Sequence, residues 1–105
     1  MKEQYIKIPL ENDETKKRFQ IEVAGSVAFV DYRVVGDQIA LIHTEVDPEL
    51  SGQGAASALV EKILNHIESS GKLILPYCPY VFAYIKKHPE WKRMVAKNFN
   101  GYDKL

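Results

Sequence analysis

The 105-residue chain has a single cysteine, no long apolar run, no sustained block of like charge and no net charge. A lone thiol excludes an intramolecular disulfide, and the opening "MKEQYIKIPLEN" has no apolar core of signal-peptide length, so a cytoplasmic location is expected. No apolar stretch approaches the roughly 20 residues that a helix needs to cross a bilayer, which excludes a membrane-spanning helix. Fourteen basic residues balance fourteen acidic ones without clustering, so the electrostatic footprint of a DNA, RNA or anionic-membrane binder is missing. Neither nucleic acid nor membrane is an expected partner. What is present is an apolar content of 46%, enough for one core and one domain over residues 1–105.

Polar "ENDETKKR", from Glu11 to Arg18, lacks apolar periodicity and reads as a solvated turn or loop. From Phe19 to Val35, "FQIEVAGSVAFVDYRVV" alternates apolar and polar residues around Ala24-Gly25-Ser26, the pattern of two antiparallel strands joined by a hairpin turn. A second turn at Gly36 to Gln38 leads into "IALIHTEV", a third strand whose more continuous apolar middle fits a place nearer the sheet centre. Beyond it, Ala56, Leu59, Val60, Ile63, Leu64 and Ile67 recur with helical spacing, and Gly71 stands where that helix ends. "KLILPYC" reads as a short buried strand, and "PYVFAYIKKH" as a second helix with Pro79 at its start and Pro89 beyond its end. The tail "WKRMVAKNF" has room for another helical turn or two. An antiparallel β-meander followed by helix, strand and helix predicts an α+β fold with helices packed on a sheet.

The junction "TEVDPELSGQGAASALVEKIL" carries two glycines and three alanines where strand passes into helix. Glycine lets a backbone approach a ligand closely, and a helix start offers unpaired N–H groups at the positive end of its dipole. A phosphate fits that end, although a glycine pair alone also occurs in ordinary loops. A Walker loop is excluded, because Ala55-Ala56 follows Gly54 where Lys-Ser or Lys-Thr is required. A dinucleotide fingerprint is disfavoured as well: "DPELS" separates the strand from the turn, and "KLILPYC" ends without a ribose-binding acid.

The segment from Ile39 to Ile67 resembles the coenzyme-A-binding core of the GNAT acetyltransferase superfamily, whose motif is Gln or Arg, two variable residues, Gly, one variable residue, then Gly or Ala. Here it reads Ser51, Gly52, Gln53, Gly54, Ala55 and Ala56, with Ser51 in place of the usual first residue. With "LIHTEV", "LILPYCPYV" and "YIKKHPEW" added, the likeness covers about residues 20 to 91 and points to the compact, single-domain members, the minimal GNAT acyl-CoA N-acyltransferase fold. The resemblance implies acetyl-CoA as cosubstrate, its pyrophosphate on Ser51 to Ala56, and an amine acceptor. Compared with full-length members, the segment before the meander is too short for the usual two N-terminal helices, which leaves the acceptor side more open.

The same likeness implies the catalytic roles. The N–H near Val46 would bind the thioester carbonyl, and Glu45 would act as general base, directly or through water; a solvent-facing strand carboxylate is its plainer reading. Tyr84, in "AYIKKH", matches the superfamily tyrosine that protonates the departing thiolate, while its spacing with Val81 and Ile85 fits core packing equally. Cys78 in "PYCPY" stands between a buried strand and a helix start, an environment that can lower a thiol's pKa and make it a candidate nucleophile. Compact members carry a cysteine in such a Cys-Pro setting, which implies a transient acetyl-cysteine or a thiol lining the pocket. Free cysteine is otherwise commonly a small buried hydrophobe.

His43 is expected toward the end of its strand, His66 on the polar face of the first long helix and His88 at a helix end. Their separations from Cys78 form no zinc pattern, so no metal is expected, while a Cys–His hydrolase is the weaker enzymatic alternative. Thr44 has the side chain to orient Glu45 or the acceptor, though a strand threonine needs no such role. Tyr77, Tyr80, Phe82, Tyr84 and Trp91 come without a basic stripe and read as core or pocket wall rather than a base-stacking surface. The function expected is acetyl transfer from acetyl-CoA to an amine, possible through or beside Cys78; the alternative is a noncatalytic acyl-CoA binding or sensing module.

Overall fold

A computed structural model describes residues 1–105. After a one-turn helix, α1 (Glu3–Ile6), five strands follow in sheet order: β1 (Glu11–Asp13), β2 (Arg18–Val23), β3 (Ser26–Val35), β4 (Gln38–Val46) and β5 (Leu73–Pro76). The first four are antiparallel neighbours, and β5 lies parallel to β4. The β2–β3 connection is a two-residue turn, with Val23 paired to Ser26 and with Ala24 and Gly25 both at positive φ, 51° and 84°. Those angles match the twist of the flanking strands.

The segment read as a loop is part strand, because Glu11–Asp13 pairs with the edge of β2. An edge strand needs backbone partners rather than apolar side chains, so hydropathy did not reveal it. The turn that follows is closed by Asp13, whose carboxylate accepts from the N–H groups of Thr15 and Lys16 at 3.1 Å.

Alternation sends Phe19 and Ile21 of β2, and Ala28, Val30 and Tyr32 of β3, into the core. There they meet α2 (Ala55–Ser69), whose buried stripe begins at Ala55 and runs through Ala58, Leu59, Val60, Ile63, Leu64 and Ile67. Gly71, at φ 77°, follows the end of this helix in the left-handed conformation typical of a helix stop. The other face of the sheet is open. It carries an ion pair between Arg18 and Asp31 at 2.8 Å, with the Arg18 guanidinium 3.7 Å over the Phe29 ring.

One irregularity decides which residues of β4 reach the helix side. Asp31 pairs with His43 but Tyr32 pairs with Leu41, which leaves Ile42 as an extra residue in a β-bulge. Leu41 faces inward beside Tyr32, and past the bulge the inward positions become Thr44 and Val46, opposite Val30 and Ala28.

Pairing of β5 with β4 ends at Leu41 and Pro76, and from Ile42 to Val46 no strand lies on that edge of β4. The strand reading of "KLILPYC" therefore stops short: Tyr77 and Cys78 form the turn into α3 (Pro79–Lys87), which buries Val81, Tyr84 and Ile85. Past Pro89 the tail forms a 3-10 turn, Pro89–Met94, rather than an α-helix. Val95 then bridges to Ile74, and Trp91, Met94, Val95, Ala96 and Phe99 close the core. No helix is long and apolar enough to cross a membrane.

Candidate active site

The junction between β4 and α2 is held from within. Asp47 accepts from the N–H of Glu49 at 3.0 Å and so starts a short 3-10 turn, Pro48–Leu50, whose Leu50 is buried. Gln53 is engaged inside the loop: its N–H donates to the Leu50 carbonyl at 3.3 Å, its side-chain amide donates to the Glu49 carbonyl at 2.8 Å, and its carbonyl accepts from Tyr5 at 2.8 Å. Ser51 uses its own N–H on the Pro48 carbonyl. Gly52 and Gly54 turn through φ 74° and 81°, angles that side-chain-bearing residues rarely adopt.

Beyond this brace lie the free donors. Gly54 is the N-cap residue of α2 and supplies no side-chain cap, and the N–H groups of Gly52, Gly54, Ala55, Ala56 and Ser57 donate to no carbonyl. They open onto a cavity of about 290 Å³ whose wall includes Val46, Ser51, Ala56 and Tyr80. Unpaired amides and the positive end of a 15-residue helix give this concavity the donors and the field that suit an anion. The Lys2 side chain lies beside Gly54, with Nζ 3.7 Å from where a Cβ on that glycine would stand, on the side of the neighbouring cavity that Tyr84 and His88 line, and no carboxylate pairs with that ammonium.

Tyr80 and Tyr84 project from α3 toward the start of α2. Tyr84 is buried and shares a cavity wall with Gly54, Ser57, Ala58 and His88. Its ring centroid is 4.3 Å from that of His88, and burial, reinforced by the carboxylates of Glu61 and Glu90, pushes its phenol up to about 12. Burial also raises the Tyr80 phenol, against a hydrogen bond with Ser57 that lowers it. Both phenols are thus neutral donors at physiological pH. Tyr84 is buried on α3 together with Val81 and Ile85 and also lines this cavity.

Cys78 is 2% exposed and its sulfur lies 3.0 Å from Thr44 Oγ1. Its N–H donates to the Leu41 carbonyl at 2.8 Å, which puts it at the point where β4 and β5 part. Glu45 stands on the opposite, open face of β4, exposed and 3.3 Å from His43 Nε2. The carboxylate and the thiol are therefore separated by the strand, whereas Val46 shares the inward face with Thr44. His66 is exposed on α2 with its ring edge on Phe19, and no group of three or more potential metal ligands is gathered anywhere. Of the remaining aromatics, Trp91 is core, whereas Tyr77 is exposed and packs edge-on against Phe99.

Sequence reasoning did not single out Lys2 or Tyr5, which lie some 50 residues before the loop they touch. No local signal links such distant positions.

Residues 18–94 match the family model of the GCN5-related N-acetyl-transferases. A solution NMR structure of a GCN5-like protein from Staphylococcus aureus has the same fold, with a TM-score of 0.66 over 85% of this chain and 88% of that one at 23% identity.

Proposed function

The chain belongs to the GCN5-related N-acetyltransferase family, and on that premise we propose that it binds acetyl-CoA and transfers the acetyl group to an amine. The observation that carries this reading is the set of free N–H groups at Gly52, Gly54, Ala55, Ala56 and Ser57, braced from behind and open to the cavity beneath Tyr80. Such donors suit a pyrophosphate, and the gap beside β4 from Ile42 to Val46 leaves main-chain groups free for the pantetheine and the thioester. Val46 borders both features.

In this scheme Glu45 takes the proton of an amine arriving from the open face, and neutral Tyr84 donates to the departing coenzyme A sulfur. Cys78 carries the acetyl group between the two or shapes the thioester site. These groups come from β4, the β5–α3 turn and α3, with Glu45 on the open face of β4 and Cys78 on the inward side.

Intact-protein mass spectrometry after incubation with acetyl-CoA tests the reading, with coenzyme A binding measured in parallel on wild type, Cys78→Ala and Gly54→Trp. A labile acetyl adduct lost in Cys78→Ala, binding lost in Gly54→Trp, and turnover with an amine are the expected results. Binding and turnover without an adduct would leave direct transfer and remove the acetyl-cysteine. Binding without turnover would identify a noncatalytic acyl-CoA module, and wild type that fails to bind coenzyme A would overturn the proposal.

A further inference from the structure

Thr44 and Cys78 come from different elements, 34 positions apart, yet their oxygen and sulfur atoms lie 3.0 Å apart. The bulge at Ile42 delivers this contact. Leu41 faces inward, so unbroken alternation would carry His43 and Glu45 inward and turn Thr44 out to the open face; the extra residue reverses that order. On the other side, Cys78 is the N-cap residue of α3 but makes no side-chain cap, so its sulfur is not tied to the helix amides. Its backbone is pinned at both ends, N–H to the Leu41 carbonyl and carbonyl to the Phe82 N–H at 3.0 Å.

A threonine hydroxyl accepts from a thiol S–H and, after rotating, donates to a thiolate. We propose that Thr44 is the positioning residue of the Cys78 thiol, holding the sulfur in line for the thioester and stabilising it as negative charge develops. The proposal rests on the reading of Cys78 as acetyl carrier. In the first half-reaction, Sγ bonds to the acetyl carbon, the bond from that carbon to the coenzyme A sulfur breaks, and the thiol proton ends on coenzyme A. In the second, the amine nitrogen bonds to the carbon as Glu45 takes its proton, the bond to Sγ breaks to leave a thiolate that Thr44 stabilises, and Glu45 releases its proton to solvent while Sγ regains one from it. Thr44 ends each half-reaction with its own proton. His43 and Glu45, the titratable neighbours on β4, lie across the strand, while Tyr77 and Tyr80 flank the thiol along the chain.

The test uses Thr44→Val, which removes the hydroxyl at nearly constant shape, and Thr44→Ser, which keeps the hydroxyl and removes a methyl. Two rates are followed at one pH: alkylation of Cys78 by iodoacetamide without coenzyme A, and acetyl-enzyme formation from acetyl-CoA, with thermal unfolding as a check on folding. Val is expected to slow both by about ten-fold, the scale of one hydrogen bond to a charged group, and Ser to recover most of that loss. Wild-type alkylation in Thr44→Val, or a Ser variant as slow as Val, would overturn the role of the hydroxyl. Slowed alkylation in Val, rescued by Ser, with no acetyl-enzyme in wild type would uphold the hold on the thiol and remove the acetyl-cysteine instead.

Discussion

The phenolic hydroxyl of Tyr5, on a side chain with no exposed surface, donates a 2.8 Å hydrogen bond to the main-chain carbonyl of Gln53. The N-terminal turn thereby braces the glycine loop from below, while the N–H groups on the other side of the loop stay free. A loop fixed before the ligand arrives loses less conformational entropy on binding.

Tyr5→Phe removes that brace and leaves the Gln53 carbonyl unpaired. Stability should fall by about 1 kcal/mol, and the Kd for coenzyme A should rise a few-fold. Calorimetry reads both; an unchanged Kd would mean that Asp47 and Leu50 suffice to hold the loop.

Gly54→Ala forces a side chain into φ 81°, at a cost of about 1–2 kcal/mol. The atoms nearest the new methyl belong to Lys2, the first being its Cε at 3.4 Å, on a flexible side chain that gives way. The loss should thus appear in both stability and coenzyme A affinity, and a thermal shift with bound ligand separates them.

Lys2→Gln should weaken coenzyme A binding by about three- to ten-fold at low ionic strength. A cation beside the positive end of α2 is unfavourable until an anion joins it, so the lost interaction is mostly electrostatic. Binding titrations at rising salt should bring wild type and variant together; parallel curves would place the ammonium outside the phosphate's reach.

Glu45→Gln separates the two half-reactions. With Glu45 across β4 from Cys78, acetyl-enzyme formation should proceed at the wild-type rate while turnover with an amine falls by about 100-fold, the lower range for loss of a general base. Equal slowing of both steps would show that the carboxylate acts on the thiol side.

Tyr84→Phe should slow coenzyme A release in the acetylation step and simplify the alkaline absorbance titration. With its folded pKa raised from 10.0 to about 12, the neutral phenol is favoured by folding. That contribution is complete below about pH 10 and is lost as pH rises toward 12. The variant should lack the last phenolate to appear and should lose less stability between pH 10 and 12 than wild type does.

Local chemistry made much of this protein legible. Alternation in β2 and β3, the Ala24-Gly25 turn, the helical stripe ending at Gly71 and Pro79 at the head of α3 are all set by neighbouring residues. Gly52 and Gly54 were readable as a turn because few other residues accept their φ angles, and a helix start with free N–H groups is itself a local feature. Less was readable where one element depends on another. Strand β1 exists because β2 has a free edge, and the bulge at Ile42 exists in a register between two strands; it alone decides that Thr44 meets Cys78 and Glu45 does not. Lys2 and Tyr5 reach the loop through packing that follows from the whole fold. The sequence by itself determined β2 to β4, the two longer helices, the glycine turn and the candidate groups, because spacing and backbone preference act within a few residues. Only the tertiary structure decided which of those groups share a face, because strand register and the closure of the N-terminal turn are fixed by contacts between distant parts of the chain.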